Sequence, residues 1–335
     1  MKFYRKDFVI IMKTVIFSKK ITLWFLSFSF LFLSACGILP TVKKKIEPEY
    51  STKQHKYSPS SSRENPTSPS TPSPSGKSAE TKETDPLHSS AASIDPSSLP
   101  NTLYAWWFKR NEEHLPPSAQ EEVDLRAYDA WYVQTDLKKG EKPVYLTFDC
   151  GYENGYTAGM LDVLRKHKAP AAFFLCKHFI EDQTELVKRM KKEGHIVGNH
   201  TANHICMPEA DERTIREEIA NNASYMKEVT GYDMDHFFRP PKGEYSERTL
   251  QITKDMGYTT VFWSLAYPDY DVDNQPGADY VIERFRRYIH PGAIPLIHNI
   301  SASNAQALDT VLTNLEAEGY TFHSLEELSS QAKNS

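Results

Sequence analysis

Two short segments of the sequence carry side chains that could activate a water molecule. Asp149 and Cys150 come directly after an apolar stretch, and His200 and His204 follow another apolar stretch with three residues between them. A carboxylate, a thiol and two imidazoles are side chains with which proteins bind zinc and related metals. Their types and spacing therefore predict a metal-assisted hydrolase.

Apolar segments of strand length alternate with amphipathic segments of helix length between about residues 104 and 328. The predicted helices cover residues 156–166, 184–193, 214–229 and 304–318. The predicted strands cover residues 144–148, 171–175, 195–199, 237–239, 259–263, 294–297 and 320–323. This alternation predicts an α/β domain built on a mainly parallel sheet, curled or open.

Ionisable side chains fall at the carboxyl ends of these predicted strands, where α/β barrels gather their chemistry. In chain order they are Asp149, Cys150, His200, His204, Arg239, Asp269 and His298. Because they follow five different strands and still share one end of the sheet, they favour a single site more strongly than any one motif does.

The N-terminus has the pattern of an export signal. A basic leader precedes an apolar run at residues 21–32, which is shorter than the ~20 residues of a membrane-spanning helix. Small residues and Cys36 end the run and resemble a bacterial lipobox. We therefore expect a lipoprotein signal peptide over residues 1–36 with Cys36 lipidated. The alternative is an uncleaved signal anchor.

Residues 37–100 are rich in Ser, Pro and Thr, and such a segment buries too little apolar area to offset its chain entropy. We expect a disordered linker that tethers the following domain, outside the cytoplasm, to the membrane through the lipid. The net charge of −5 and the lack of a basic stripe argue against a nucleic-acid partner. A monomer is assumed.

From residue 101 onward the chain resembles the polysaccharide deacetylases with a NodB-homology domain, the family four carbohydrate esterases. The resemblance is most marked to those that de-N-acetylate muramic acid in peptidoglycan to form muramic δ-lactam. Five segments carry it, namely residues 146–156 (LTFDCGYENGY), 200–204 (HTANH), 239–243 (RPPKG), 262–266 (FWSLA) and 290–298 (HPGAIPLIH). It implies a distorted (β/α) barrel over residues 101–335, with a catalytic core at about 142–328.

Asp149 is predicted to be the general base. An acetamide is a poor electrophile, so the attacking water must lose a proton as it attacks, and a nearby carboxylate can accept that proton. Arg239 is predicted to pair with Asp149 and to keep it ionised. The alternative is an aspartate that caps the turn after its strand.

His298 is given the role of general acid by the resemblance. Such an acid is needed because an amide nitrogen leaves poorly unless it is protonated. The resemblance also implies that Asp269 orients His298 and raises its basicity. The family's usual Trp after this Asp is Tyr270 here.

His200 and His204 are four residues apart, so on a helical turn both rings would face one point and could bind a divalent metal. The alternative is two histidines packed at the start of a helix. At the position of Cys150 the family has an Asp that binds the metal, and the δ-lactam-type enzymes tend to have Asn. Cys150 could therefore be a third ligand, which favours zinc, or a neutral space-filling residue, or a disulfide partner of Cys206.

The expected function is hydrolysis of N-acetyl groups on peptidoglycan glycan strands, with N-acetylmuramic acid as the expected substrate. One alternative substrate is N-acetylglucosamine in peptidoglycan or in chitin-like oligomers. A further alternative is a catalytically weak glycan-binding module, if Cys150 blocks the metal site.

Overall fold

The computed structural model of this chain describes residues 94–120 and 122–334. The predicted signal peptide, the predicted lipidation of Cys36 and most of the predicted linker lie outside these residues. In the described part of the chain, no helix combines the length and the apolar character that crossing a bilayer requires.

Within that part, short strands alternate with helices. The strands are β1 (Tyr104–Ala105), β2 (Phe108–Lys109), β3 (Ser118–Ala119), β4 (Ala130–Trp131), β5 (Pro143–Val144), β6 (Leu146–Cys150), β7 (Ala171–Leu175), β8 (Ile196–Asn199), β9 (Phe237–Phe238), β10 (Glu244–Tyr245), β11 (Thr259–Val261), β12 (Leu296–His298) and β13 (Thr321–Phe322). The α-helices are α1 (Thr157–Lys166), α2 (Lys177–Asp182), α3 (Thr184–Lys192), α4 (Glu212–Thr230), α5 (Glu247–Asp255), α6 (Ala278–Tyr288), α7 (Ala302–Ala317) and α8 (Leu325–Asn334).

Seven strands form one parallel sheet in the order β12-β6-β7-β8-β9-β11-β4. Its two edge strands, β12 and β4, do not pair with each other. Backbone hydrogen bonds from Ser264 N to Ile294 O (2.9 Å) and from Leu296 N to Leu265 O (2.8 Å) instead draw the chain after β11 towards β12. The sheet is therefore curled and incompletely closed, which confirms the predicted α/β fold with a distorted barrel.

The central strands β6 and β7 are buried on both faces. Because side chains alternate along a strand, Leu146 and Phe148 pack outward against the surrounding helices, while Tyr145 packs inward against Phe174 and Ile294. Residues that point inward near the carboxyl ends of these strands therefore come together inside the curled sheet.

Four predicted helices are present, with ends that differ from the predicted ones by a few residues: α1, α3, α4 and α7. The sequence did not predict bounds for α2, α5, α6 or α8, nor the edge strand β4. β4 is only two residues long, too short to show a strand periodicity.

The fold begins before residue 101, the predicted start of the domain. Pro96 is buried in a short 3₁₀ turn, Pro96–Ser98, and Pro100 O accepts a hydrogen bond from Arg248 N (3.2 Å). The last residues of the predicted linker thus pack against α5. Further along, Trp106 stacks on Phe262 with ring centroids 4.6 Å apart.

Candidate active site

A buried ion pair between Asp149 and Arg239 lies inside the curled sheet. Asp149 is in β6 and Arg239 follows β9, and Arg239 Nη1 donates to Asp149 Oδ1 at 2.8 Å. The Arg239 side chain is fully buried and Asp149 is 7% exposed. The predicted pairing of these two residues is therefore present in the structure.

Arg239 is held in one orientation by its surroundings. Its Nε donates to Val261 O (2.9 Å) and its Nη2 to Phe262 O (3.2 Å), both at the end of β11. Its guanidinium carbon lies 4.3 Å from the centre of the Phe174 ring. Because Nε and Nη2 are anchored in this way, the guanidinium presents Nη1 to Asp149 in a fixed geometry.

The charge state of Asp149 follows from this environment. Burial by itself raises the pKa of Asp149, but the positive charge and hydrogen bond of Arg239 outweigh it. The net effect lowers the pKa of Asp149 below its usual range. Asp149 is therefore ionised at neutral pH, which is the form that the predicted base requires.

His200 turns one ring nitrogen towards Asp149. Its Nδ1–H donates to Arg239 O (2.7 Å), which leaves Nε2 without a proton and 3.7 Å from Asp149 Oδ2. Burial lowers the pKa of His200, so the ring is neutral at pH 7. A neutral imidazole held through its other nitrogen is the usual arrangement of a metal-binding histidine.

His204 lies beside His200, with ring centroids 4.9 Å apart. The predicted helical turn between them is wrong. The connecting loop instead has Thr201 (φ 63°) and His204 (φ 56°) in the left-handed region, and Thr201 Oγ1 accepts a hydrogen bond from His204 N (2.9 Å). The two imidazoles therefore meet through a loop fixed by local hydrogen bonds.

Cys150 lies on the opposite face of β6 from Asp149. It packs with Phe148 in the hydrophobic cluster between the sheet and the outer helices and is fully buried. The predicted ligand set of Cys150, His200 and His204 is not assembled, because successive side chains of a strand point to opposite faces. Among the described residues, no three His, Cys, Asp or Glu side chains are grouped so that they could hold one metal ion.

The thiol state of Cys150 agrees with this placement. Burial raises the pKa of the thiol well above its usual range, so the thiol stays protonated. Cys150, Cys176 and Cys206 are all free in the described chain, so the predicted alternative of a disulfide between Cys150 and Cys206 is not formed. The placement favours the interpretation of Cys150 as a neutral space-filling residue.

His298 and Asp269 form the second polar pair of the site. Asp269 Oδ1 bonds His298 Nδ1 at 2.7 Å, and Asp269 Oδ2 accepts the backbone N–H of His298 at 2.8 Å. Burial lowers the pKa of His298, but the adjacent carboxylate of Asp269 outweighs burial and the pKa is raised overall. A protonated His298 is the form that the predicted acid requires.

Asn304, in the first turn of α7, is a site residue that the sequence interpretation missed. Its Nδ2 donates to Asp269 Oδ2 (2.7 Å) and to His298 O (3.1 Å), while its Oδ1 accepts from Tyr267 Oη (2.9 Å). Asn304 thus fixes the buried Asp269 carboxylate. No motif in the sequence pointed to it, since it lies in a helix that begins after the motif ending at His298.

Asp149 and His298 are direct neighbours across the sheet. In the parallel register between β6 and β12, Asp149 is the Cα partner of His298. Adjacent strands lie about 4.8 Å apart, and paired residues point to the same face. An ionised carboxylate and an imidazole of raised pKa are therefore held side by side, so that one could remove and the other donate a proton on the same substrate.

Two exposed aromatic residues follow site residues in the sequence, Tyr270 directly after Asp269 and Tyr152 three residues after Asp149. Tyr270 is 63% exposed, and its ring centroid is 6.0 Å from that of His298. Tyr152 is 66% exposed and packs on His178 with ring centroids 4.3 Å apart. Exposed tyrosines at the edge of a polar site are suited to stacking against sugar rings.

Comparisons with known proteins agree with the motifs. Residues 136–261 match the family model described as polysaccharide deacetylase. Over 232 residues the chain is 43% identical to peptidoglycan-N-acetylmuramic acid deacetylase PdaA of Bacillus subtilis strain 168, a match that covers 69% of this chain and 87% of PdaA. The chain belongs to the polysaccharide deacetylase family. It is thus a member of a family of hydrolases that act on amide bonds.

Structural similarity extends over the same region of this polysaccharide deacetylase. The solved structure of Bacillus subtilis PdaA, a family 4 carbohydrate esterase, superimposes with a TM-score of 0.67 at 42% identity, covering 70% of this chain and all of that one. A peptidoglycan-N-acetylglucosamine deacetylase of Bacillus cereus is 32% identical over 200 residues, covering 59% of this chain and 92% of its own length.

Replacing Arg239 by Met tests how far the ion pair sets the charge of Asp149. Without the guanidinium, the buried carboxylate has no counter-charge and its pKa rises, so the acidic limb of the kcat/KM profile should move to higher pH. The free energy of unfolding should fall by about 3–5 kcal/mol. Arg239→Lys, which keeps the charge, should shift the limb less. An acidic limb that stays in place in Arg239→Met would contradict this role.

Replacing Asp269 by Asn tests the control of His298. Loss of the carboxylate charge lowers the pKa of His298, so the imidazolium is lost at lower pH. The alkaline limb of the kcat profile should therefore move to lower pH, and kcat at neutral pH should fall. The matched control is Asp271→Asn, an exposed carboxylate two residues away, whose profile should match that of the unsubstituted protein.

Proposed function

We propose that this protein removes the N-acetyl group from N-acetylmuramic acid in peptidoglycan, on the route to muramic δ-lactam. The observation that carries the proposal is the register of Asp149 with His298, which places an ionised carboxylate beside an imidazole of raised pKa. The identity of 43% to the protein named peptidoglycan-N-acetylmuramic acid deacetylase supports the choice of sugar.

In the proposed mechanism, Asp149 accepts a proton from the attacking water as the new C–O bond forms at the acetyl carbonyl. His298, protonated and held by Asp269, then donates a proton to the amide nitrogen as the C–N bond breaks. The products are acetate and the free amine. Arg239 keeps Asp149 ionised between turnovers and does not touch the substrate in this scheme.

N-acetylglucosamine in peptidoglycan is the second candidate substrate, supported by the 32% identity to the Bacillus cereus deacetylase of that sugar. The glycan-binding module is less favoured, because it depended on Cys150 blocking the metal site. Cys150 faces the hydrophobic cluster, away from Asp149.

Family 4 deacetylases are generally metal-dependent. We propose His200 and His204 as two ligands of a divalent metal, which would polarise the substrate carbonyl when bound. Cys150, which faces the hydrophobic cluster, is not among the proposed ligands. Two imidazoles suit copper, iron and nickel as well as zinc.

We also propose that the enzyme works outside the cytoplasm, since the relatives it matches are named for action on peptidoglycan of the cell wall. Lipidation at Cys36, at the end of the predicted signal peptide of residues 1–36, would anchor it to the membrane. The following segment, predicted as a linker over residues 37–100, would give the domain reach.

The Asp149→Asn variant tests the proposed reaction. It removes the base but keeps the shape of the side chain, so acetate release from peptidoglycan should fall by at least about 100-fold. The matched control is Asp233→Asn at an exposed position, which should release acetate normally. Mass spectrometry of the muropeptides should show loss of acetyl from the muramic residue. Loss only from glucosamine would reject the proposed sugar, and an active Asp149→Asn would reject the mechanism.

Metal content distinguishes a ligand set that contains Cys150 from one that does not. Bound metal per chain, measured by plasma mass spectrometry, should drop sharply in His204→Ala and stay unchanged in Cys150→Ala. The Cys150→Ala protein should instead be less stable to heat, because it leaves a cavity in the hydrophobic cluster. Equal metal loss in both variants would show that Cys150 is a metal ligand after all.

A further inference from the structure

A cavity of about 360 Å³ opens at the amino ends of β7 and β8, whereas the catalytic residues lie at the carboxyl ends of the strands. Its apolar lining includes Leu164, Ala169 and Pro170. His195 and His200 flank β8 at its two ends, so roughly 16 Å of extended chain separates the cavity from the catalytic site. None of the residues proposed for deacetylation lines this cavity.

His195 provides an unused hydrogen-bond donor there. Its side chain is only 5% exposed, and its Nδ1 accepts a hydrogen bond from Ala171 N (3.2 Å). Burial lowers the pKa of His195 to about 4, so the ring is neutral and its one proton is on Nε2. Nε2 is buried, and no acceptor for it exists among the described residues.

Glu193 provides an unused acceptor in the same lining. Its Oε1 accepts hydrogen bonds from Arg189 Nε (2.7 Å) and Arg165 Nη1 (3.2 Å). Its Oε2 is buried and has no donor within the described part of the chain. Leaving such a group without a partner costs about 1–3 kcal/mol, so a native cavity with both a free donor and a free acceptor calls for a ligand that satisfies both.

We propose that this cavity is a second carbohydrate-binding site, which takes one sugar ring of a glycan strand. A sugar hydroxyl both donates and accepts, so it can accept from His195 Nε2–H and donate to Glu193 Oε2. The apolar face of the ring would lie against Pro170, which is partly exposed. The volume is at the lower end of the range for ligand pockets, about 300–1,000 Å³.

Lys168 would favour the binding of acidic glycans at this site. It lies at the edge of the cavity with an exposed side chain. An ammonium group in this position attracts the carboxylates that peptidoglycan carries on its muramic residues and peptides. A strand held here would stay near the catalytic end of the same domain, which raises its local concentration without changing the chemical step.

The variant His195→Asn tests the site. The Asn side-chain oxygen can still accept from Ala171 N, but the Nε2–H donor is lost. Affinity for insoluble peptidoglycan should fall about three- to tenfold, as expected for one net hydrogen bond. Turnover of a soluble disaccharide of N-acetylglucosamine and N-acetylmuramic acid should stay within about twofold, since the catalytic residues are untouched. His236→Asn, the same change at an exposed histidine, is the control.

Nitrogen NMR of histidine-labelled protein gives a direct readout that does not depend on activity. The Nε2 resonance of His195 should shift when the soluble disaccharide or an N-acetylglucosamine tetramer is added. Lys168→Gln should weaken binding of the acidic disaccharide and leave that of the neutral tetramer unchanged, even if His195→Asn proves unstable. No shift with either sugar at millimolar concentration would overturn the proposal and assign the two polar atoms to a buried water.

Discussion

The buried ion pair of Arg239 and Asp149 is the interaction on which the rest of the site depends. An isolated carboxylate inside the curled sheet would be protonated, because burial opposes its charge. The guanidinium can compensate only while it is anchored to the carbonyls of Val261 and Phe262 and stacked on Phe174. Residues of β7 and β11, and Arg239 after β9, therefore act together to keep the Asp149 carboxylate ionised.

Arg239 also positions His200, through its backbone carbonyl. Arg239 O accepts the Nδ1 proton of His200, which leaves the other nitrogen of that ring facing Asp149. The base and the imidazole beside it therefore depend on a single residue after β9. On the acid side, Asp269 and Asn304 hold His298 in place, and the ionised Asp149 that Arg239 maintains also helps to raise the pKa of His298.

Much of this site could be predicted because ionisable residues after apolar strands meet at one edge of a parallel sheet. The pairing of Asp149 with Arg239 agrees with that rule, whereas the Asp269–His298 contact was implied by the family resemblance. The sequence did not predict that Cys150 points to the outer face of β6, although the alternation of side chains along a strand places it opposite Asp149. Asn304 and the left-handed loop at His204 depend on tertiary contacts and local backbone geometry that a motif does not encode.

The register of β6 with β12 has a mechanical consequence. Since Asp149 and His298 are partners in one ladder, backbone hydrogen bonds set the spacing between them, and loop packing does not. Fluctuations of the surrounding loops can open or narrow the approach for a polymer while the proton donor and acceptor keep their separation. A fixed spacing of donor and acceptor, with loops that can adjust around it, would suit the proposed substrate, a heterogeneous, cross-linked solid.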